Sequence, residues 1–237
     1  MISEKQIEEI AVKMQTSAIN VAREYAQNLF LQYFYAQEGS EAIYFKGGTA
    51  LRILYRSPRF SEDLDFSTSH IDKSIIEKLL QETAIKIDEE GVLIEIEEAK
   101  PTSGGYLGEI KVSIGAINFN IMMEISSRKK KTSGETVVVE NPYVSTYTVL
   151  SLKKEELIAE KIEALLDRKK PRDFFDLYFM LRANLIPNKK FLKLVIPLLG
   201  KTKIDFKNEL GEFLPRSFHP IIKKFPVALA QEIRRHL

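Results

Sequence analysis

The sequence predicts an α/β fold in which a mixed, mostly antiparallel sheet with helices is followed by a helical C-terminal region. Three observations carry that prediction. A short apolar run at 43–45 leads into Gly47-Gly48, a helical stretch and an alternating Asp63-Leu64-Asp65-Phe66. Residues 92–126 alternate apolar and polar side chains, the period of a strand. From Lys154 on, apolar residues instead recur three and four apart, as on a helix face. The domain boundary falls at about residues 146–154, which divides a core domain at 1–150 from a helical domain at 151–237.

Taken in order, residues 3–36 read as helix in one or two pieces. Ser3 and Gln6 form a capping-box pattern, Ile7, Ile10, Ala11 and Met14 share a face, and Ser17 offers a second start. Tyr25, Tyr33, Phe34 and Tyr35 read as packing residues rather than as a base-stacking platform. The run at 43–45 is a buried strand, and Gly47-Gly48, with no Cβ on either residue, lets the backbone turn tightly and approach another molecule closely. Thr49 is placed to cap the helix that follows, and Asp72 to cap the next, which runs to Gly91. Strands follow at 92–98, 106–114 and 117–126, with a turn at 101–105 and a hairpin connection at Gly115-Ala116. Along the last of them Asn118, Asn120, Met122, Glu124 and Ser126 share one face. Arg128-Lys129-Lys130-Lys131 reads as a basic loop, able either to steer a nucleic acid or simply to stay solvated. A short strand at 136–140 ends at Asn141-Pro142. In the helical region Lys169-Lys170-Pro171 breaks one helix and Arg172 opens another, while Pro197, Pro215, Pro220 and Pro226 divide the remainder into about three helices.

Composition narrows the class. At 237 residues the chain can hold one large domain or two small ones, and its 44% hydrophobic content suits a globular core. No apolar run reaches the ~18 residues of a membrane span, and the first residues lack the charged-then-apolar order of a signal peptide, so a soluble, cytoplasmic protein is expected. The chain contains no cysteine, which excludes disulfides and thiolate metal sites, and its three histidines speak against zinc. The net charge of +2 conceals an asymmetry: residues 1–150 hold 16 basic and 22 acidic side chains, residues 151–237 hold 19 and 11. A basic second half suits a polyanionic partner, and equally a solvated lysine-rich surface.

The chemistry concentrates at 43–66. A helix start presents free N–H groups and a partial positive charge, a seat for phosphate. In a strand, Asp63 and Asp65 project from one face while Leu64 and Phe66 anchor the other, and two carboxylates so placed suit a hard cation. Either half alone has an ordinary reading, since Gly-Gly before a helix is commonly a turn and Asp-x-Asp recurs in acidic loops. Together, strand, Gly-Gly-Thr, helix and a strand carrying Asp-Leu-Asp are the minimal layout of the nucleotidyltransferase fold. Lys46-Gly47-Gly48-Thr49-Ala50-Leu51, followed by Arg59-Phe60-Ser61-Glu62-Asp63-Leu64-Asp65-Phe66, resembles the AbiEii family of nucleotidyltransferases, the toxin components of abortive-infection and type IV toxin–antitoxin systems. A second stretch, Glu160-Lys161-Ile162-Glu163-Ala164-Leu165, then Arg168, Arg172-Asp173 and Asp176-Leu177-Tyr178, resembles the family's other signature, in which a lysine and an Arg-Asp-x-x-Asp element complete the active site. An ordinary surface helix with charge pairs is the competing explanation there, and beyond residue 188 the resemblance is faint.

What the resemblance implies is a metal-dependent nucleotidyltransferase that moves a nucleoside monophosphate from a nucleoside triphosphate to an acceptor, with RNA, and the 3′ end of tRNA in particular, as the expected one. Asp63, Asp65, Lys161 and Asp176 would be catalytic; Lys46, Gly47, Gly48, Thr49, Lys161, Arg172 and Asp173 would bind the nucleotide. Asp63, Asp65 and Glu124 would hold Mg2+ or Mn2+, with Glu124 as third carboxylate against the alternative of a plain solvent-facing side chain. A separately encoded antitoxin would be the protein partner. Two rivals stand beside this: a nucleotide-dependent phosphotransferase or small-molecule nucleotidyltransferase, and a non-catalytic nucleotide- or RNA-binding module.

Overall fold

Phe45 and Phe66 are register partners on neighbouring antiparallel strands, so both rings leave the sheet on the same side. There they meet each other and the rings of Phe34 and Tyr35, with centroids 5.3–6.4 Å apart. The strands are β1 (Ile43–Lys46) and β2 (Leu64–Thr68), and Phe34 and Tyr35 end a long helix, α2 (Ala18–Tyr35), behind a shorter α1 (Glu4–Met14). The computed structural model of the chain describes residues 1–70, 72–128, 133–201 and 205–237. Lys129, Lys130 and Lys131 of the expected basic loop lie outside the described residues.

The chain divides into two compact units, residues 1–56 with 60–153, and residues 57–59 with 154–237. The first is built on a seven-stranded sheet. Besides β1 and β2 it contains β3 (Leu93–Thr102), β4 (Gly105–Ile114), β5 (Ile117–Ser127), β6 (Gly134–Val139) and β7 (Tyr147–Leu152), in the order β3-β4-β5-β2-β1-β7-β6. The β1–β7 and β2–β5 pairs are parallel and the other four antiparallel, the mixed and mostly antiparallel sheet that the sequence predicts. Helix α2 packs against β5, β7 and α4 (Lys73–Glu89), and the Tyr35 hydroxyl donates to the carbonyls of Ile43 and Leu150 at 2.8 and 3.0 Å. That bond joins the two strands beside the Gly-Gly turn. The break between α1 and α2 is made by Gln15 in the left-handed region and by the Ser17 cap.

Residues 146–154, which the sequence reads as the domain boundary, contain β7, and the helical unit resumes at Lys154 directly after that strand. β7 pairs with its chain neighbour β6 on one side and, about a hundred residues away, with β1 on the other, so only tertiary contact shows where it joins the sheet. One expectation is corrected here. The turn expected at 101–105 is shorter, because Pro101 stays within β3; this strand is an edge of the sheet, where a missing N–H costs no ladder bond.

The second unit is helical: α5 (Lys154–Arg168), α6 (Pro171–Arg182), α7 (Leu192–Lys201), α8 (Phe206–Gly211), α9 (His219–Ile222) and α10 (Phe225–Arg235). Pro171, Pro220 and Pro226 lie in first turns, where a proline forfeits no intrahelical bond. Pro197 does not break the chain as expected but lies inside α7. The core is aromatic, with Phe206 and Phe225 at 4.9 Å, Phe174 on Phe206 at 5.9 Å and Phe175 on Phe225 at 5.8 Å between centroids.

Candidate active site

The sheet has one apolar face, and its other face carries the expected site. Asp65 is the register partner of Glu124 on the adjacent parallel strand β5 and of Lys46 on the adjacent antiparallel strand β1. Register partners project from the same face, so three charged side chains stand in a row across β1, β2 and β5. Asp65 is partly exposed and Glu124 exposed, while Lys46 is buried with its ammonium 3.4 Å from the Ser126 hydroxyl. That hydroxyl in turn donates to Glu124 at 3.4 Å. Glu109, the other acidic residue of the hairpin, lies one strand further out, opposite Met122, and accepts from Asn120 at 2.8 Å.

The turn between β1 and the helix α3 (Gly47–Tyr55) is shaped around Asp65. Gly47 has φ +83°, and a Cβ on it would lie 2.0 Å from the Asp65 carboxylate oxygen Oδ2. The glycine is required twice, for its left-handed backbone and for the space that the carboxylate fills. The close approach anticipated for Gly47 is thus to a residue of the same chain. Thr49 corrects the sequence reading: α3 begins at Gly47, so Thr49 lies in the first turn and does not cap it. Its buried hydroxyl donates to the backbone carbonyl of Asp63, fixing the entry of β2, and no side chain caps the helix start. The N–H groups of that first turn have no acceptor within the helix.

Asp63 stands just ahead of β2. Gln27 donates to the carbonyls of the two residues before it, Ser61 and Glu62, at 3.0 Å each. Burial lowers the pKa of the neighbouring Arg23 guanidinium, partly offset by the negative charges of Glu62 and Asp63.

In the helical unit the predicted residues form two buried ion clusters. Asp176, 1% exposed, receives a two-pronged contact from Arg59, Nε at 2.9 Å and Nη2 at 3.1 Å, and a third bond from the Lys161 ammonium at 2.8 Å. Burial alone would raise the pKa of this carboxyl; the Arg59 guanidinium and the Lys161 ammonium outweigh that and hold it below the usual aspartate range. Asp173, also buried, accepts from Arg168 at 2.7–3.1 Å and from the backbone N–H of Lys170 at 3.1 Å. It closes the start of α6 and grips the end of α5. These are not the charge pairs of an ordinary surface helix. Arg172 lies in the same first turn, and its Nε is buried without a hydrogen-bond partner.

Arg59 is the residue that sequence reasoning left without a role. It stands inside the first motif, and its partner is 117 positions away, so nothing local announced the pairing. The need for a second cation becomes visible only once Asp176 is known to be buried.

For a hard cation the donor set is suitable. Asp63, Asp65 and Glu124 offer only oxygen, two of them in register on one face, beside a helix start able to take phosphate. Among the described residues no three His, Asp or Glu side chains are gathered closely enough to hold a metal ion, so the structure does not bring Asp63, Asp65 and Glu124 together as a trio of ligands. The arrangement therefore fits an open site of the Mg2+ kind, in which one or two carboxylates hold the ion and water and substrate phosphates complete its shell.

A mixed sheet in which the strand carrying Asp65 lies beside a Gly-Gly helix start has the layout expected of the nucleotidyltransferase class. Solved structures agree in fold: JHP933 from Helicobacter pylori, 22% identical over 92% of each chain with a TM-score of 0.65, and MenT4, a nucleotidyltransferase toxin from Mycobacterium tuberculosis, 17% identical over 99% of this chain and 93% of that one with a TM-score of 0.66. Comparison with curated proteins yields no match. The family model of the AbiEii nucleotidyl transferase toxins of type IV toxin–antitoxin systems matches residues 29–233, and the chain belongs to that family. It is a nucleotidyltransferase, and the phosphotransferase and non-catalytic readings fall away. Among the described residues no helix is long and apolar enough to cross a membrane.

Proposed function

We propose that this chain transfers a nucleoside monophosphate from a nucleoside triphosphate to the 3′ end of an RNA, tRNA being the expected acceptor, with a separately encoded antitoxin as its partner. One observation carries the reading: Asp65 stands in register with Glu124 while its carboxylate fills the space above Gly47, so acid groups and a phosphate seat adjoin. Asp63, Asp65 and Glu124 would hold Mg2+ or Mn2+, which when bound orients the triphosphate and offsets the charge that develops during transfer. The first-turn N–H groups of Gly47, Gly48 and Thr49 would hold the distal phosphates, and the Thr49 hydroxyl acts indirectly, by fixing Asp63. Lys46, in the same row as Asp65, would place a positive charge beside the nucleotide and balance that of the carboxylates. In the helical unit Lys161, steadied by Asp176, would add positive charge on the nucleotide, with Arg172 as a second cation and Asp173 positioning it through the first turn of α6.

The experiment is incubation of the purified chain with each labelled triphosphate, Mg2+ and total RNA. Label in an RNA band with one preferred nucleotide supports the reading. Label in a small molecule would move the acceptor to that class, and no incorporation with any triphosphate would defeat the assignment.

A further inference from the structure

A cavity of about 410 Å3 opens on the helical unit, within the roughly 300–1,000 Å3 range of small-ligand sites. Helix α6 lines it with Phe175, Tyr178, Phe179 and Arg182, spaced so that they stack along one face, and Phe218 and Ile221 line it from the segment around α9. Phe218 meets Phe175 edge to face at 6.1 Å between centroids. The Arg182 guanidinium lies 5.7 Å from the centre of the Tyr178 ring, and its side chain is 56% exposed. Asp173 and Asp176 leave the same helix toward the buried ion clusters, so the aromatic stripe is the face that those clusters do not use.

A stripe that only filled the core would be closed. Here Phe179, Phe218 and Ile221 remain partly exposed, and the exposed Arg182 lines the cavity with them. Arg216, Lys223 and Lys224, all exposed, lie two or three positions from Phe218 or Ile221 in the sequence. The acidic neighbour Glu232 is already engaged by Arg235 at 3.1 Å and by Arg182 at 3.9 Å. Aromatic faces for bases, with cations around them for phosphates, are the means by which proteins hold single-stranded nucleic acid. We infer that this cavity is a stacking site for an unpaired base of an RNA strand. The inference rests on the reading of the acceptor as RNA and adds to it the residues that would grip the strand.

The test uses the full chain, without triphosphate, and a short oligoribonucleotide carrying one fluorescent purine. Binding should quench the fluorescence. Phe218→Leu keeps the apolar volume but removes the ring, and should weaken binding about tenfold and relieve the quenching, whereas Phe218→Tyr should retain both. Arg182→Gln should flatten the dependence of affinity on salt. Melting temperatures of the three variants, equal to that of the parent, exclude misfolding as the cause. Unchanged affinity and quenching in Phe218→Leu would overturn the inference. So would Phe218-dependent quenching of the free purine triphosphate with none of the strand, which would make this a mononucleotide pocket. Transfer to RNA without Phe218-dependent quenching sinks the cavity alone; quenching without transfer sinks the transferase reading and leaves the cavity standing.

Discussion

The chain spells two close aspartate pairs, Asp63 and Asp65 in the sheet unit and Asp173 and Asp176 in the helical unit, and the fold treats them in opposite ways. Asp65 is partly exposed, stands in register with another acid, and lies against a glycine that makes room for its carboxylate. Asp176 and Asp173 are buried and hold six short contacts from Arg59, Lys161 and Arg168 between them, with a seventh from a backbone N–H. A carboxylate whose lone pairs are taken by fixed cations stabilises structure and orients its partners. One that stands partly exposed in register with another carboxylate, beside a helix start, is the one that the proposed function assigns to a ligand. The spacing of the aspartates does not distinguish these cases; their environment does.

The sharpest way to break the contrast is Asp65→Asn. If the acid row holds the catalytic cation, several kcal/mol of charge stabilisation disappear, and labelled-nucleotide incorporation should fall by about 10³-fold or more while urea unfolding is unchanged or slightly shifted toward stability. Residual activity near that of the parent would remove the acids from the chemistry.

Asp176→Asn, unlike Asp65→Asn, should lower stability, and transfer with it through the loss of the contact that steadies Lys161. It strands Arg59 and Lys161 without their counter-charge in a buried place, a loss of about 3–5 kcal/mol in unfolding. The pH dependence follows from the same pair. The folded pKa of Asp176 lies below its unfolded value, so its contribution is complete above the ordinary aspartate pKa of about 3.9 and is lost as pH falls through the depressed folded value. Acid unfolding monitored by circular dichroism should lose that component in the variant; an identical acid limb in both proteins would mean that the cluster contributes nothing.

Gly47→Ala tests whether the turn serves Asp65. The left-handed backbone and the clash with Oδ2 together should cost about 1–3 kcal/mol and displace the carboxylate, so stability and transfer should fall together. A variant with parental melting and activity would show that the turn has freedom to spare.

The smallest effect separates the two acids of the hairpin. Glu109→Gln should change stability by no more than about 0.5 kcal/mol and leave transfer intact, because the amide can still bond Asn120. Glu124→Gln should raise the Mg2+ concentration needed for half-maximal transfer. Equal behaviour of the two would withdraw Glu124 as a ligand.

How much of this was legible without coordinates follows from range. Ser3 with Gln6, Asp72, Pro171 and the 117–126 alternation act on neighbours a few positions away, and the capping box, the N-cap, the first-turn proline and β5 are where the sequence predicts them. The motifs around Gly47 and Asp65 were readable for the same reason, since strand, turn and helix are local and adjoining. Thr49 was misread because its hydroxyl had two uses within reach, the helix start and the Asp63 carbonyl, and only the packed turn selects between them. Strand β7, the Arg59–Asp176 pair and the aromatic cavity join residues tens to more than a hundred positions apart. The sequence by itself determined the local geometry and the chemical groups on offer. Which carboxylates are buried among cations and which stand partly exposed beside the Gly47 turn was decided by tertiary structure, because burial and charge pairing depend on distances in space that chain spacing does not encode.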